Sequence, residues 1–299
     1  MDKKRNMNWR PGIQAISTLL HNANLKGFFT GKIYQGPLKM VCVPGLNCYS
    51  CPGAVGACPI GSLQSFLGGL RFRFPYYVLG LLIFFGALLG RAVCGLLCPF
   101  GLLQELLNKI PFPKRDRFRA DKPLRALKYA VLAILVIVLP LCSTLTPYFC
   151  KYLCPAGTLA GSLLALRDPL VRMQLGSLFT WKASVLAAVV LACLAIWRPF
   201  CKYLCPLGAI YGFFNRVALY RMELDKERCV GCGKCAAACR MCVDPAHTPN
   251  SAECIRCGDC VRACPTGALE LGFCPGKRAP KAGKDADAKG TDAAAEHET

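Results

Sequence analysis

Eight cysteines toward the C-terminus form two compact runs. Cys229, Cys232, Cys235 and Cys239 have the spacing C-x2-C-x2-C-x3-C; Cys254, Cys257, Cys260 and Cys264 repeat it, and Pro265 completes the second copy. Three thiolates set this closely wrap one corner of an iron–sulfur cubane, and the fourth of each run reaches the neighbouring cluster. The spacing therefore predicts two [4Fe–4S] clusters. One is expected on Cys229, Cys232, Cys235 and Cys264, the other on Cys254, Cys257, Cys260 and Cys239. Gly231, Gly233 and Gly258 let the loops approach the inorganic sulfides. Zinc sites more often use two pairs set well apart. Cys239 is followed by Arg240 rather than proline, and Cys242, three residues on, is an alternative ligand.

A second set of cysteines lies among apolar residues. Phe149-Cys-Lys-Tyr-Leu-Cys-Pro-Ala-Gly recurs as Phe200-Cys-Lys-Tyr-Leu-Cys-Pro-Leu-Gly, and more loosely as Val93-Cys-Gly-Leu-Leu-Cys-Pro-Phe-Gly. The pairs Cys94/Cys98, Cys150/Cys154 and Cys201/Cys205 are expected to share helical faces, with proline restarting a helix and glycine permitting a tight turn. Cys48, Cys51 and Cys58, the last in a C-P-x-G unit of its own, are further candidate metal ligands. Cys142 and Cys193 stand singly in apolar runs and read as packing residues.

The elements that must hold these thiols are largely lipid-like. Charged residues make up 18% of 299, below the roughly 25% of soluble domains. The 22 cysteines sit mostly in metal-type spacings, not in the pattern of a small disulfide scaffold. Three runs, Tyr76–Val93, Leu127–Leu145 and Ala183–Trp197, read as membrane spans. Met40–Leu70 has no charged residue except Lys39 at its edge, yet glycine and proline break it; it is either a discontinuous crossing or a surface loop. Residues 9–25 form an amphipathic helix, on a membrane surface or on a soluble one. Ile13–Leu20 is short and meets no small-residue cleavage site, so no secretory signal is expected.

The expected fold is mainly α. A basic segment, 1–39, precedes a polytopic membrane domain, 40–221, with three spans and a possible discontinuous fourth. A small α+β bacterial ferredoxin domain, 222–274, follows, with Met222-Glu-Leu and Leu269-Glu-Leu as strands, and then a disordered tail, 275–299. The net charge of +20 comes from basic residues at the edges of apolar runs and in the termini. That suits lipid and the positive-inside bias, and no nucleic-acid motif is present. The loop carrying Lys109, Lys114, Arg115, Arg117, Arg119, Lys122, Arg125 and Lys128 is expected in the cytoplasm, with the ferredoxin domain on the same side of a plasma membrane crossed several times. One span separates successive pairs. Cys94, Cys98, Cys201 and Cys205 should therefore converge on one face, and Cys150 and Cys154 lie on the other, where Cys48, Cys51 and Cys58 can meet them. His21, His247 and His297 lie outside the spans, so this chain offers no bis-histidine haem site.

The three C-x3-C-P pairs and the double quartet resemble the NapH/NosR-type family of membrane polyferredoxins, over roughly residues 70 to 274. The stretch Leu46-Asn-Cys-Tyr-Ser-Cys-Pro-Gly-Ala-Val-Gly-Ala-Cys-Pro resembles a subgroup known simply as 4Fe-4S binding proteins, whereas the nitrate-reductase type carries two C-x3-C-P pairs. The resemblance implies an electron-transfer subunit associated with quinol oxidation and with electron supply to reductases or to their maturation. Two readings stay open: a relay between a membrane donor such as quinol and a redox partner protein, or an accessory protein, sensing or assembling through labile clusters. The membrane cysteines would add a further iron–sulfur or iron centre, and quinone a further cofactor.

Overall fold

The computed structural model describes residues 9–69, 76–116, 118, 121–142, 146–167, 169–173 and 176–273. The basic start, residues 1–8, and the expected tail, 275–299, lie outside them. The chain opens with helix α1, Arg10–His21, with Pro11 in its first turn, and the short α2, Leu25–Thr30. In α1 the usual amphipathic order is reversed. Gln14 and Ser17 are buried, donating to the carbonyls of Cys98 and Leu97, while Ile16, Leu19 and Leu20 are exposed.

Residues 40–58 are neither a regular span nor a surface loop. Val43 to Asn47 are buried, and bonds from the Val43 N–H to the Ala57 carbonyl and from the Ala57 N–H to the Val41 carbonyl close the segment. Irregular backbone is thus enclosed by protein, as it must be wherever water is excluded. The segment leads into α3, Pro59–Gly69.

The apolar run 76–93 does not continue as one helix. Helix α4, Tyr76–Leu89, has 14 residues, short of the roughly 17 that a span needs. It ends where Gly90 takes a φ of +54° and the Arg91 N–H turns to Asn215 Oδ1 at 2.8 Å. Helices α5, Ala92–Leu96, and α6, Pro99–Asn108, follow. Among the described residues, two helices rather than the expected three are long and apolar enough to cross a membrane: α7, Asp121–Cys142, and α8, Ser177–Ala195. Only 22% and 11% of their apolar windows are buried within the protein, so most of that surface needs an apolar surrounding.

Proline restarts the remaining helices: α9 in Pro199–Tyr203, α10 in Pro206–Phe214 and, between α7 and α8, a helix over Pro155–Arg167. The C-terminal unit pairs β1, Tyr220–Leu224, antiparallel with β2, Leu269–Phe273, from Tyr220 opposite Phe273 to Leu224 opposite Leu269. Two short helices lie between the strands, α11 at Lys234–Ala238 and α12 at Asp259–Ala263. The main core gathers Cys58, Cys94, Cys98, Cys154 and Cys205 with Leu82, Phe100, Phe149, Phe200 and Tyr211.

Candidate metal centres

Each C-P-x-G unit builds the same local structure. Cys98, Cys154 and Cys205 hold extended backbone, ψ near 110°, just before a helix whose first residue is the proline. The cysteine thus sits at the start of the helix, with its sulfur near the backbone N–H of the glycine three residues on: Gly61 for Cys58, Gly101 for Cys98, Gly157 for Cys154, Gly208 for Cys205. This corrects two sequence expectations. The two cysteines of a pair do not share one helical face, because a helix break separates them. The glycine makes no tight turn; it lies in the first helical turn, where the room for a side chain differs from unit to unit. A Cβ on Gly101 would be crowded, 3.0 Å from the Cys94 carbonyl oxygen and from Arg198, whereas one on Gly157 would make ordinary contact, 3.8 Å from the sulfurs of Cys154 and Cys48.

The cysteines of the apolar segments gather into two sets. Cys48, Cys58, Cys150 and Cys154 stand within electrostatic reach of one another. Cys51 lies beside Cys48 but aims its sulfur at Asn22 Oδ1, 3.8 Å away. Cys94, Cys98, Cys201 and Cys205 form the other set. The first lies beyond the C-terminal end of α7, with the Trp181 indole near the start of α8 donating to the Tyr152 carbonyl; the second follows the end of α8. Little chain separates the sets. A Cβ on Gly45 would stand 3.0 Å from Cys98 Cα, the Leu46 N–H lies near the Cys98 sulfur, and buried Tyr211, donating to the Pro44 carbonyl at 2.9 Å, faces Cys94, Cys98 and Cys58.

Two fully buried arginines flank the second set. Arg91 donates to the carbonyls of Cys201 at 2.8 Å and Ala252 at 2.7 Å, and pairs with Glu253 at 2.7 Å. Arg198, at a left-handed φ of 51°, donates to the Cys94 carbonyl and pairs with Glu105, which also binds Arg10. Buried cations in excess of carboxylates are costly unless an anion shares the site. Four thiolates around a metal supply one, so the donor set and its surroundings fit an iron–sulfur cluster. Sequence reasoning did not single out these arginines, although each stands three residues before the first cysteine of a pair.

In the C-terminal unit, Cys229, Cys232, Cys235 and Cys264 line one cavity of about 100 Å³, together with Gly231, Gly233 and His247. Gly231 and Gly233 have φ of +66° and +68°, which side chains resist. Cys254, Cys257, Cys260 and Cys239 face one another as the second group. Burial pushes the Cys239 thiol up, against N–H bonds from Val243 and Met241. Cys242 turns away, donating to the Asp116 carbonyl at 3.1 Å. No three His, Cys, Asp or Glu side chains among the described residues are gathered tightly enough for a single ion. Zinc at about 2.3 Å from each sulfur needs thiolates roughly 4 Å apart, whereas a cubane spreads its ligands. Replacing Cys264 by alanine is expected to deplete the centre of Cys229, Cys232 and Cys235 while sparing that of Cys254, Cys257 and Cys260. Iron and sulfide counting with EPR checks this, and loss confined to the latter centre would refute the crossover.

The C-terminal unit is bolted to the second of these sets. Arg256 stands where the first loop has Gly231, at a φ of 55°. Its guanidinium donates to the carbonyls of Leu89 at 2.9 Å and Asn215 at 2.6 Å. Asn215 in turn donates to the carbonyls of Ser251 and Cys254, at 2.8 and 2.7 Å. Glu253 lies between Arg91 and Lys128. Burial alone would raise its carboxyl, but the two cations hold it below the usual range.

A cavity of about 400 Å³ opens between α1, α2, residues 46–51, α6 and the 155–167 helix. Leu19, Leu25, Phe28 and Leu103 line it, Asn22 and Asn47 supply polar groups, and Cys48 and Cys51 reach its wall.

Comparison with known proteins agrees with this arrangement. A family model described as a 4Fe-4S binding domain matches residues 56–77, 76–118, 127–173 and 177–224. A second 4Fe-4S binding domain model matches 222–241 and 247–270. YccM of Escherichia coli, whose name describes an electron transport protein, is 30% identical over 161 residues, 51% of this chain and 42% of that one. The methylamine utilization ferredoxin-type protein MauN of Methylorubrum extorquens is 27% identical over 199 residues, 64% of this chain and 56% of that one. The regulatory protein NosR of Stutzerimonas stutzeri is 30% identical over 166 residues, 51% of this chain and 20% of that one. The chain thus spans less than two thirds of the length of these relatives. No solved structure matches. The matched domains cover more than half of the sequence and every candidate ligand except Cys48 and Cys51, and the chain belongs to the 4Fe-4S binding domain family, among the ferredoxin-type electron transport proteins of the NapH/NosR kind.

Proposed function

We propose that the protein takes electrons from quinol in the plasma membrane and relays them to a redox partner at its C-terminal unit. The observation that carries this reading is the contiguity of four thiol sets. Cys48, Cys58, Cys150 and Cys154 adjoin Cys94, Cys98, Cys201 and Cys205 through Gly45, Leu46 and Tyr211. Arg91 links the latter set to the loop of Cys254. The group of Cys239, Cys254, Cys257 and Cys260 stands beside that of Cys229, Cys232, Cys235 and Cys264. Iron–sulfur clusters held by these sets supply one-electron transfer. The residues around them fix the order, exclude water and neutralise charge. A sensor or assembly factor needs no such series, so the row favours a relay.

The cavity between α1 and the 155–167 helix suits a quinol ring, being apolar, touching Cys48 and Cys51, and offering Asn22 and Asn47 to ring oxygens. The outward apolar face of α1 and the exposed surfaces of α7 and α8 fit a surrounding bilayer. Purified in nanodiscs and given a quinol, the protein is expected to lose iron–sulfur absorbance within seconds. Filling the cavity with Leu103→Trp should slow this at least tenfold while dithionite still reduces every centre. Equal quinol rates in the two proteins would sink the assignment.

The basic loop 111–123 and the C-terminal unit are proposed to face the cytoplasm. Reporter fusions check this: one in the loop should be active only as a cytoplasmic reporter, and activity confined to the other side would reverse the orientation.

A further inference from the structure

The two membrane thiol sets share a feature that their cysteines do not explain. Gln64 lies six residues after Cys58 on α3, and Gln104 six residues after Cys98 on α6. Both are 1% exposed. Each reaches across its set to the cysteine pair on the other segment. Gln64 Nε2 stands 3.5 Å from Cys150 Sγ, and Gln104 Nε2 stands 3.0 Å from Cys201 Sγ. Each accepts, on Oε1, the backbone N–H of the phenylalanine preceding that cysteine: Phe149 at 3.0 Å and Phe200 at 3.1 Å. Each also donates to a carbonyl of its own helix, Ile60 or Phe100, at 3.3 Å. The amide orientation follows from this pattern. A backbone N–H can only donate, so the carboxamide oxygen must face Phe149 or Phe200, and the NH2 group is left for the sulfur.

We propose that Gln64 and Gln104 are equivalent positioning residues, one for each membrane-domain iron–sulfur centre, that raise the reduction potential of that centre by donating an N–H···S hydrogen bond to Cys150 and Cys201. This rests on the relay reading only in assigning a metal centre to each set. A thiolate that accepts a hydrogen bond pushes less electron density onto its iron, so the reduced centre is favoured. In a dry core the effect is stronger than in water. The same carboxamide holds the backbone that leads into the pair, so one residue sets both the place and the electronic character of a ligand. The arrangement occurs twice with the same sequence offset and the same three partners, which incidental packing does not produce.

The test is a redox titration followed by EPR, with iron counting, on the full chain in detergent. Gln104→Glu keeps an oxygen for the Phe200 N–H but presents no donor to Cys201, and Gln104→Met removes both. Each is expected to make one centre about tenfold harder to reduce, or about 59 mV lower for one electron, with the other centres unmoved. Gln64→Glu and Gln64→Met should shift a different centre. An unshifted potential in a variant that retains its iron overturns the proposal. So does a shift of the same centre by both positions, or loss of the local centre in both the Glu and Met variants, which would leave the glutamine a packing role alone. Failure of the relay reading would show separately, as absence of iron from the membrane domain of the unaltered protein.

Discussion

Changing Cys94 and Cys201 together to serine should remove about four iron atoms per chain, the content of one cubane, and abolish quinol-linked reduction of the C-terminal unit. The two residues lie on different segments, α5 and α9, yet both belong to the set completed by Cys98 and Cys205. Serine matches cysteine in shape but is a far poorer ligand for iron. The loops of Cys229–Cys239 and Cys254–Cys264 contain neither residue, so the signals of those centres and their reduction by dithionite should persist. This separates a broken relay from a misfolded protein. Unchanged iron with unchanged quinol-linked reduction would mean that these pairs hold no cofactor and only shape helix ends.

Replacing Glu253 by glutamine should release the C-terminal unit from its dock. The carboxylate lies between Arg91 and Lys128, both fully buried, and nothing else on that loop neutralises them. Breaking such a group from one side costs about 3–5 kcal/mol, because the cations stay behind unpaired. Three kcal/mol is roughly a hundredfold in the docking equilibrium. The exposed Arg216 precedes β1, so trypsin cleavage there should accelerate by a similar factor, with the centres of the released unit still loaded. The pH dependence has a definite sign. The cations hold the Glu253 carboxyl below its usual value, so its contribution is complete above about pH 4.3, the unperturbed pKa, and is lost as pH falls through the lower value in the docked protein. Wild-type protection should therefore be flat from pH 5 to 8 and fail only in acid. Equal cleavage rates for the two proteins would show that the dock rests on other contacts.

How much of this was legible beforehand depended on the range of the interactions. The double quartet sets its own geometry within a few residues, so its cysteines and flanking strands could be read from spacing. Counting spans was enough to bring Cys94 and Cys98 toward Cys201 and Cys205. It could not choose between Cys51 and Cys58 as companions of Cys150, because that depends on how residues 40–58 close on themselves. One expected span failed at its end: the apolar run is unbroken from Tyr76 to Leu89, but Gly90 breaks the helix and Arg91 enters the core. Gln64, Gln104, Arg198 and Glu253 were out of reach because their partners lie some 85 to 160 residues away. The recurrence of the two glutamines six residues after a cysteine, and of Arg91 and Arg198 three residues before one, was nonetheless visible in the sequence.

Arg256, in the position where the sister loop has glycine, has a consequence for traffic. A free ferredoxin diffuses and offers whichever side it happens to turn. Here a side chain is held in strained left-handed backbone by bonds to Leu89 and Asn215, and it hides the loop of Cys254 and Cys257 against the N-terminal helices. The opposite loop, with Cys232 and Val230 exposed, is the side that remains open. On the proposed relay reading, the chain is expected to work as a socket rather than a shuttle. Delivery depends on the acceptor's own diffusion to one fixed port, and its rate should rise with acceptor concentration without the plateau that a swinging domain would impose.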